Sequence, residues 1–168
     1  MSEYIIKHME TDAEIDGKGY VHYKTVREAY EALLPAEYLE RQTLEKCISA
    51  ARAYPQNTLV AKDGERVVGF CCFNECQDEG MENVGEVFAL YVLAEYYGKK
   101  IGYELMTAAI ENLSVYDRIS VWVLKGNERA INFYQKYGFR FDGTEAEIKL
   151  GEPRTKLRMI CSRKQNEV

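Results

Sequence analysis

The apolar positions fall into two rhythms. Short apolar runs, rich in β-branched and aromatic residues, occur at 4–9, 58–62, 67–73, 87–93 and Arg118–Leu124. In the last, Ile119, Val121 and Val123 alternate with more polar neighbours. Runs this short predict strands, and the continuous run at 87–93 predicts a fully buried one. Elsewhere the spacing is helical. Val26, Ala29, Tyr30 and Leu33 stand at i, i+3, i+4 and i+7, which predicts a helix over 21–34 ended by Pro35. A second helix is expected over Leu44–Ala53, stopping near Pro55. From Ile101 the apolar residues recur at Leu105, Ala108, Ala109 and Leu113, and Ala130, Phe133 and Tyr134 stripe a helix over 127–137. Thr11 and Asp12 are both good N-caps, but Gly17 and Gly19 interrupt a regular pattern between them and residue 21.

Turn residues separate these segments. Asp63-Gly64 is a hairpin signal, Asp78-Glu79-Gly80 a further turn, and Gly138 fits the position just past a helix end. Gly151-Glu152-Pro153 joins the last two strands, expected at 139–150 and 156–162. The predicted order is strand, two helices, three strands, helix, strand, helix, two strands. This is an α/β (α+β) chain with a mixed central sheet of about seven strands and four helices. The three consecutive strands should be antiparallel, and the strand–helix–strand unit after them parallel and right-handed. With 168 residues, no repeats and no low-complexity tract, one domain over 1–168 is expected.

Composition narrows the function classes. A net charge of −5 argues against a nucleic-acid surface, whose footprint is basic. No apolar run approaches the ~20 residues of a membrane span. The start, Met1-Ser2-Glu3-Tyr4-Ile5-Ile6-Lys7, has neither a basic region nor an apolar signal core, so a cytoplasmic protein is expected. Five cysteines and two histidines fit no zinc spacing, so no metal is expected. Cys71 and Cys72 read as small buried apolar residues.

The informative chemistry lies at the start of the helix after the central strand. A helix N-terminus carries partial positive charge and unpaired N–H groups, yet Lys99 and Lys100 place two cations there. A bound anion resolves that conflict, and Gly98 and Gly102 would let a phosphate reach the backbone. Solvated lysines at an ordinary helix start are the plainer alternative.

This stretch resembles the cofactor motif of the GNAT superfamily, the acyl-CoA-dependent N-acyltransferases: a strand, then Gln/Arg-x-x-Gly-x-Gly/Ala opening a helix. Tyr97 stands at the Gln/Arg position, Lys100 at the first Gly, and Gly102 at the Gly/Ala, so two of the three marked positions depart. The segment from Asn127 to Phe139 resembles the family's Asn-x-x-Ala-x-x-Phe-Tyr-x-x-x-Gly-Phe at every marked position. The element order is also that of the GNAT fold.

The resemblance implies acetyl-CoA as co-substrate and an amine acceptor, a small molecule or a protein. It implies that Tyr97, Gly98, Lys99, Lys100, Ile101, Gly102 and Tyr103 form the pyrophosphate loop. The backbone of Leu90, Tyr91 and Val92 would pair with the pantetheine arm, which Asn127 would also contact. Tyr134 would be the general acid to the CoA sulfur. An acid at Glu86, sharing the parity of Phe88 and Leu90, would act as base through water; Glu82 and a plain solvated strand-end Glu86 are the alternatives. The acceptor site would involve Tyr30 and Leu34, with Tyr20, His22, Tyr23, Tyr38 and 151–154 nearby. Tyr91 and Tyr103 would otherwise line the cleft, and His22 is a second candidate base. No nucleic acid or membrane partner is expected, and a homodimer is compatible with the reading. Two other function classes compete: a sensor that binds acyl-CoA without turnover, and a scaffold.

Overall fold

The short apolar runs become seven strands: β1 (Ile5–His8), β2 (Thr58–Asp63), β3 (Arg66–Glu75), β4 (Val84–Val92), β5 (Arg118–Leu124), β6 (Arg140–Leu150) and β7 (Glu152–Ser162). They form one mixed sheet in the order β1-β2-β3-β4-β5-β7-β6. The helices are α1 (Asp12–Tyr30), α2 (Ala36–Arg41), α3 (Leu44–Ala53), α4 (Ile101–Asn112) and α5 (Glu128–Tyr137). This is a computed structural model, and it describes residues 3–163.

Two helical details differ from expectation. α1 begins at Asp12, because Thr11 caps it: the Thr11 hydroxyl accepts from the Glu14 N–H while the Glu14 carboxylate reaches back to the Thr11 N–H. Gly17 and Gly19 lie inside the helix, where they serve close packing. A Cβ on Gly19 would come within 2.7 Å of the Ile48 backbone on α3, and one on Gly17 within 2.7 Å of Val67 on β3. The second difference is α2, whose six residues after Pro35 are too few to show a helical period. Among the described residues, five α-helices therefore stand where four were expected.

Glu14 also ties α1 to the sheet edge. Its buried carboxylate accepts from Lys7 Nζ on β1 at 2.8 Å and from Lys62 Nζ on β2 at 3.0 Å. Burial alone would raise its pKa, but Lys7, the N–H groups of Glu10 and Thr11, and Lys62 hold it well below the usual carboxylate range. A depressed folded pKa contributes stability that is complete above the unfolded value near 4.3 and is lost as pH falls toward the folded one. Glu14→Gln strands two lysines without their carboxylate. It is expected to lower the melting temperature by roughly 5 °C or more at neutral pH, and by progressively less below pH ~4. A constant difference between the two proteins across that acid range would rule this out.

The sheet opens at one place. β1 to β4 are antiparallel neighbours, and β5 pairs antiparallel with β7. β4 and β5 are parallel, but they pair only at Val84–Arg118, Gly85–Ile119 and Glu86–Ser120. Past Glu86 the two strands run on unpaired, so the sheet forks. A bulge accompanies the fork: Phe73 pairs with Val87 and Cys72 with Ala89, which leaves Phe88 as the extra residue. Bulges bend a strand and end regular pairing. This one also reverses the alternation along β4. By its partners on β3, Glu86 shares a face with Ala89 and Tyr91, while Leu90 shares the opposite face with Val87. The expected common parity of Glu86 and Leu90 is thus broken by one inserted residue.

The two faces of the sheet carry different helices. Leu105 of α4 sits against Gly69 of β3 on one face. On the other, His22 of α1 packs with Phe70 and Tyr91. The main core joins both layers through fully buried Phe70, Leu105, Met106, Ile119, Phe139 and Met159.

Candidate active site

The fork is walled by the backbone and side chains of Ala89 to Val92 on one side. Trp122 and Val123 of β5, with Asn127, Ala130, Phe133 and Tyr134, form the other. The cleft has a volume of about 920 Å³ and extends to the start of α4. It brings together Tyr30, Leu90, Tyr91, Val92, Tyr97, Gly98, Lys100, Ile101, Gly102, Tyr103, Asn127 and Tyr134 from four separate regions of the chain.

At the α4 end, no side chain caps the helix, so its first N–H groups face outward. Lys100 is the N-cap and has φ +65°, a left-handed conformation that glycine adopts without cost. The family's glycine position is therefore occupied by a lysine holding glycine's backbone geometry, at a strain of about 1 kcal/mol. Gly98 is left-handed too, at φ +80°. Gly102 lies in the first helical turn, where a Cβ would be 3.4 Å from Phe133 Cε2. Lys99 is exposed beside this turn. Tyr97, at the family's Gln/Arg position, carries the Arg129 guanidinium 3.6 Å from its ring centroid. Burial raises the Tyr97 pKa and Arg129 opposes the rise. Tyr103 packs on Tyr137, whose hydroxyl lies 2.9 Å from that of Thr107.

In the middle of the cleft, Tyr30, Tyr91 and Tyr134 converge. The hydroxyls of Tyr30 and Tyr91 are 3.4 Å apart, and burial first, then Tyr30, with smaller contributions from Tyr134 and Tyr38, raises the Tyr91 pKa. Tyr134 is half-buried, its ring packed edge-on to Phe133 and Phe139. Burial first, then Tyr30, pushes its pKa well above the ordinary phenol range. Asn127 caps α5, its Oδ1 accepting from the Ala130 N–H at 3.3 Å. That bond uses only the oxygen, and the amide nitrogen keeps both of its donors for a ligand.

Glu86 stands at the closed end of the fork, the last paired residue of β4. Burial raises its pKa and Asp78 adds to the rise, while Lys156 opposes it. Asp78 in turn accepts from Trp122 Nε1 at 2.9 Å. Lys156 Nζ lies 4.3 Å from the Trp122 ring centroid.

Several expected residues lie elsewhere. Leu34 is buried with Val26, Leu39 and Leu124 in a small apolar cluster, away from the cleft. His22 packs between Phe70 and Tyr91, with Nδ1 lacking any partner. Burial, and then Lys18, push its pKa down to about 4. That makes the imidazole a poor base. All five cysteines are buried and none forms a disulfide among the described residues, which also contain no cluster of His, Cys, Asp or Glu able to hold a metal. No described helix is long and apolar enough to cross a membrane.

The cleft also contains residues that pattern reading did not single out. Arg129 had a readable signal, as a cation two residues past Asn127. Trp122 is the only tryptophan of the chain, on the β5 face opposite Val121 and Val123. Asp78 and Lys156 come from a turn and a distant strand, and only the folded sheet brings them to Trp122.

The comparisons with known proteins agree with this geometry. The model of the acetyltransferase (GNAT) family matches residues 22–139, well over half of the chain. A mycothiol acetyltransferase of Acidimicrobium ferrooxidans is 27% identical over 96 residues, covering 56% of this chain and 31% of that protein. An uncharacterised N-acetyltransferase of Mycobacterium tuberculosis is 31% identical over 95 residues, covering 55% of this chain and 58% of that one. The matches thus cover only 31% and 58% of the lengths of these two relatives. Among solved structures, the PaiA N-acetyltransferase of Thermoplasma acidophilum in complex with coenzyme A superposes with a TM-score of 0.73. It is 21% identical, over 96% of this chain and 99% of that one. A Pyrococcus horikoshii protein gives a TM-score of 0.71 at 24% identity, over 95% and 98%. At such identities the likeness shows the fold, and the family match carries the assignment: the chain belongs to the acetyltransferase (GNAT) family.

Proposed function

We propose that the protein transfers an acetyl group from acetyl-CoA to an amine. The observation that carries this reading is the unpaired fork between β4 and β5, which has a phenol inside it and an uncapped helix start at its mouth. The pyrophosphate would sit on the N–H groups of Ile101, Gly102 and Tyr103, with Lys99, Lys100 and Arg129 around it. The unpaired backbone of Leu90 to Val92 would hydrogen-bond the pantetheine amides, as a missing strand would, with Asn127 Nδ2 donating from across the cleft. A backbone N–H on the same edge would stabilise the developing oxyanion.

The amine nitrogen attacks the thioester carbonyl, a C–N bond forms, and the C–S bond breaks. The nitrogen gives up one proton and the leaving thiolate takes one. Glu86 accepts the first, directly or through water, and Tyr134 supplies the second. A free alkyl amine has a pKa near 10.4 and must be neutral to attack. A carboxylate with a raised pKa is the stronger base for that task.

Product analysis tests the reading. Amines incubated with protein and acetyl-CoA should yield acetylated products that survive hydroxylamine, as amides do and esters and thioesters do not. Glu86→Gln should lower the rate at least about tenfold, most at low pH, where the amine is hardest to deprotonate. A hydroxylamine-sensitive product would contradict N-transfer. A Glu86→Gln pH profile parallel to wild type, near full rate, would remove Glu86 as the base.

A further inference from the structure

The charged side chains around Trp122 are not equally committed. Arg158 donates to Asp142 at 2.6 Å and to the Thr144 hydroxyl at 3.0 Å, and lies 3.9 Å from Asp78. Asp78 also holds the indole N–H, which fixes the ring. Two groups on the same sheet face stand outside this network. Glu86 and Lys156 are both half-buried, and neither takes part in an ion pair or hydrogen bond among the described residues. Glu86 pairs with Ser120 and Lys156 with Leu124, which puts the two on the face of Trp122, on either side of it along β5. Lys156 Nζ lies 4.3 Å from the Trp122 ring centroid, and the Arg158 guanidinium lies 5.7 Å from it. Partly buried charges are normally paired, so this opposed but separated pair is complementary to a ligand carrying both charges. The Trp122 ring and Phe88, which is 54% exposed, both line the cleft on this side.

Resting on the acetyl-transfer reading, we infer that the acceptor is a small zwitterion, an amine bearing a carboxylate. Its amine goes to Glu86, its carboxylate to Lys156, and its carbon skeleton lies against Trp122 and Phe88. The charge pattern disfavours a peptide N-terminus, which has no carboxylate near its amine, and a polyamine, whose second cation would meet Lys156.

The test is thiol release from acetyl-CoA with free amino acids, β-alanine and γ-aminobutyrate, each beside its amide and its decarboxylated amine. The best acid should exceed its amide by at least about tenfold in kcat/KM, the size of one charge-assisted contact. Lys156→Met should collapse that ratio toward one, and Lys156→Arg should retain part of it. Lys156→Glu should invert the preference, favouring the decarboxylated amine; a variant that was merely destabilised would lower all rates alike. Equal use of acid, amide and amine by the wild-type protein, or turnover only of peptides and polyamines, overturns the zwitterion and leaves acetyl transfer standing. CoA binding without thiol release for any amine overturns both.

Discussion

Gly102→Glu is expected to abolish the rise in melting temperature that CoA gives the wild-type protein. The reason is local. Gly102 lies in the uncapped first turn of α4, with helical backbone and a Cβ position only 3.4 Å from Phe133. A methyl fits there, so Gly102→Ala should fold and bind CoA with modest loss. Glutamate places an anion among the N–H groups that the pyrophosphate would use. An acid in the first turn complements the helix dipole, so the apo variant should be as stable as wild type or slightly more. The variant thus separates folding from binding. Losing two charge-assisted contacts of about 1.5–3 kcal/mol each lowers CoA affinity by at least about 10²-fold. An undiminished CoA shift in Gly102→Glu would mean that the pyrophosphate lies elsewhere.

Tyr134→Phe is expected to leave CoA affinity within a few-fold of wild type and to lower turnover about 10²-fold, the usual size of a general-acid effect. The substitution removes one oxygen and keeps the ring, which packs on Phe133 and Phe139. Burial and Tyr30 hold the phenol pKa well above its ordinary value, so the proton stays in place until a thiolate draws it off. A thiol pKa near 8.5 is below that of the phenol, so transfer to the thiolate is uphill, the raised phenol pKa adds to its cost, and solvent must return the proton to Tyr134. The sign for pH follows. A raised acid pKa means that wild-type turnover shows no alkaline loss from Tyr134 below the ordinary phenol range near 10. Unchanged turnover in Tyr134→Phe would mean that water protonates the thiolate. Lost CoA binding together with lost fold would make the hydroxyl structural.

The sequence made the layers and much of the cleft legible, for physical reasons that differ by region. The segment from Asn127 to Phe139 declares itself through local chemistry: an N-cap, an apolar stripe and a C-terminal glycine. The run over 87–93 reads as a fully buried strand, yet only Val87 and Leu93 are buried: past Glu86 the fork opens, leaving Ala89 to Val92 half-buried and Phe88 exposed. Other features depend on tertiary distances that no local pattern carries. Gly17 and Gly19 read as breaks, yet they are the points where α1 comes too near Ile48 and Val67 for a side chain. The bulge at Phe88 inserts one residue into β4 and moves Glu86 to the face of Tyr91, which an unbroken alternation cannot foresee. Lys100 read as a departure from the glycine motif, but it takes the glycine's left-handed backbone. Arg129 comes from another helix to stack on Tyr97, a contact no local pattern announces. The resemblance implies Leu34 at the acceptor site, but Leu34 is buried in one cluster with Leu39 of α2, a helix too short to show a period.

The measurement that bears most directly on the fork as a transfer site is the appearance of free thiol when wild-type protein meets acetyl-CoA and a panel of amines. Calorimetry with CoA on the same sample runs beside it. The geometry of Tyr134, Glu86 and the open β4 edge predicts CoA binding at one site per chain and thiol release that depends on the amine and saturates with it. CoA binding with no amine-dependent thiol release would contradict it, and would mark the protein as a CoA-binding sensor on an acetyltransferase fold.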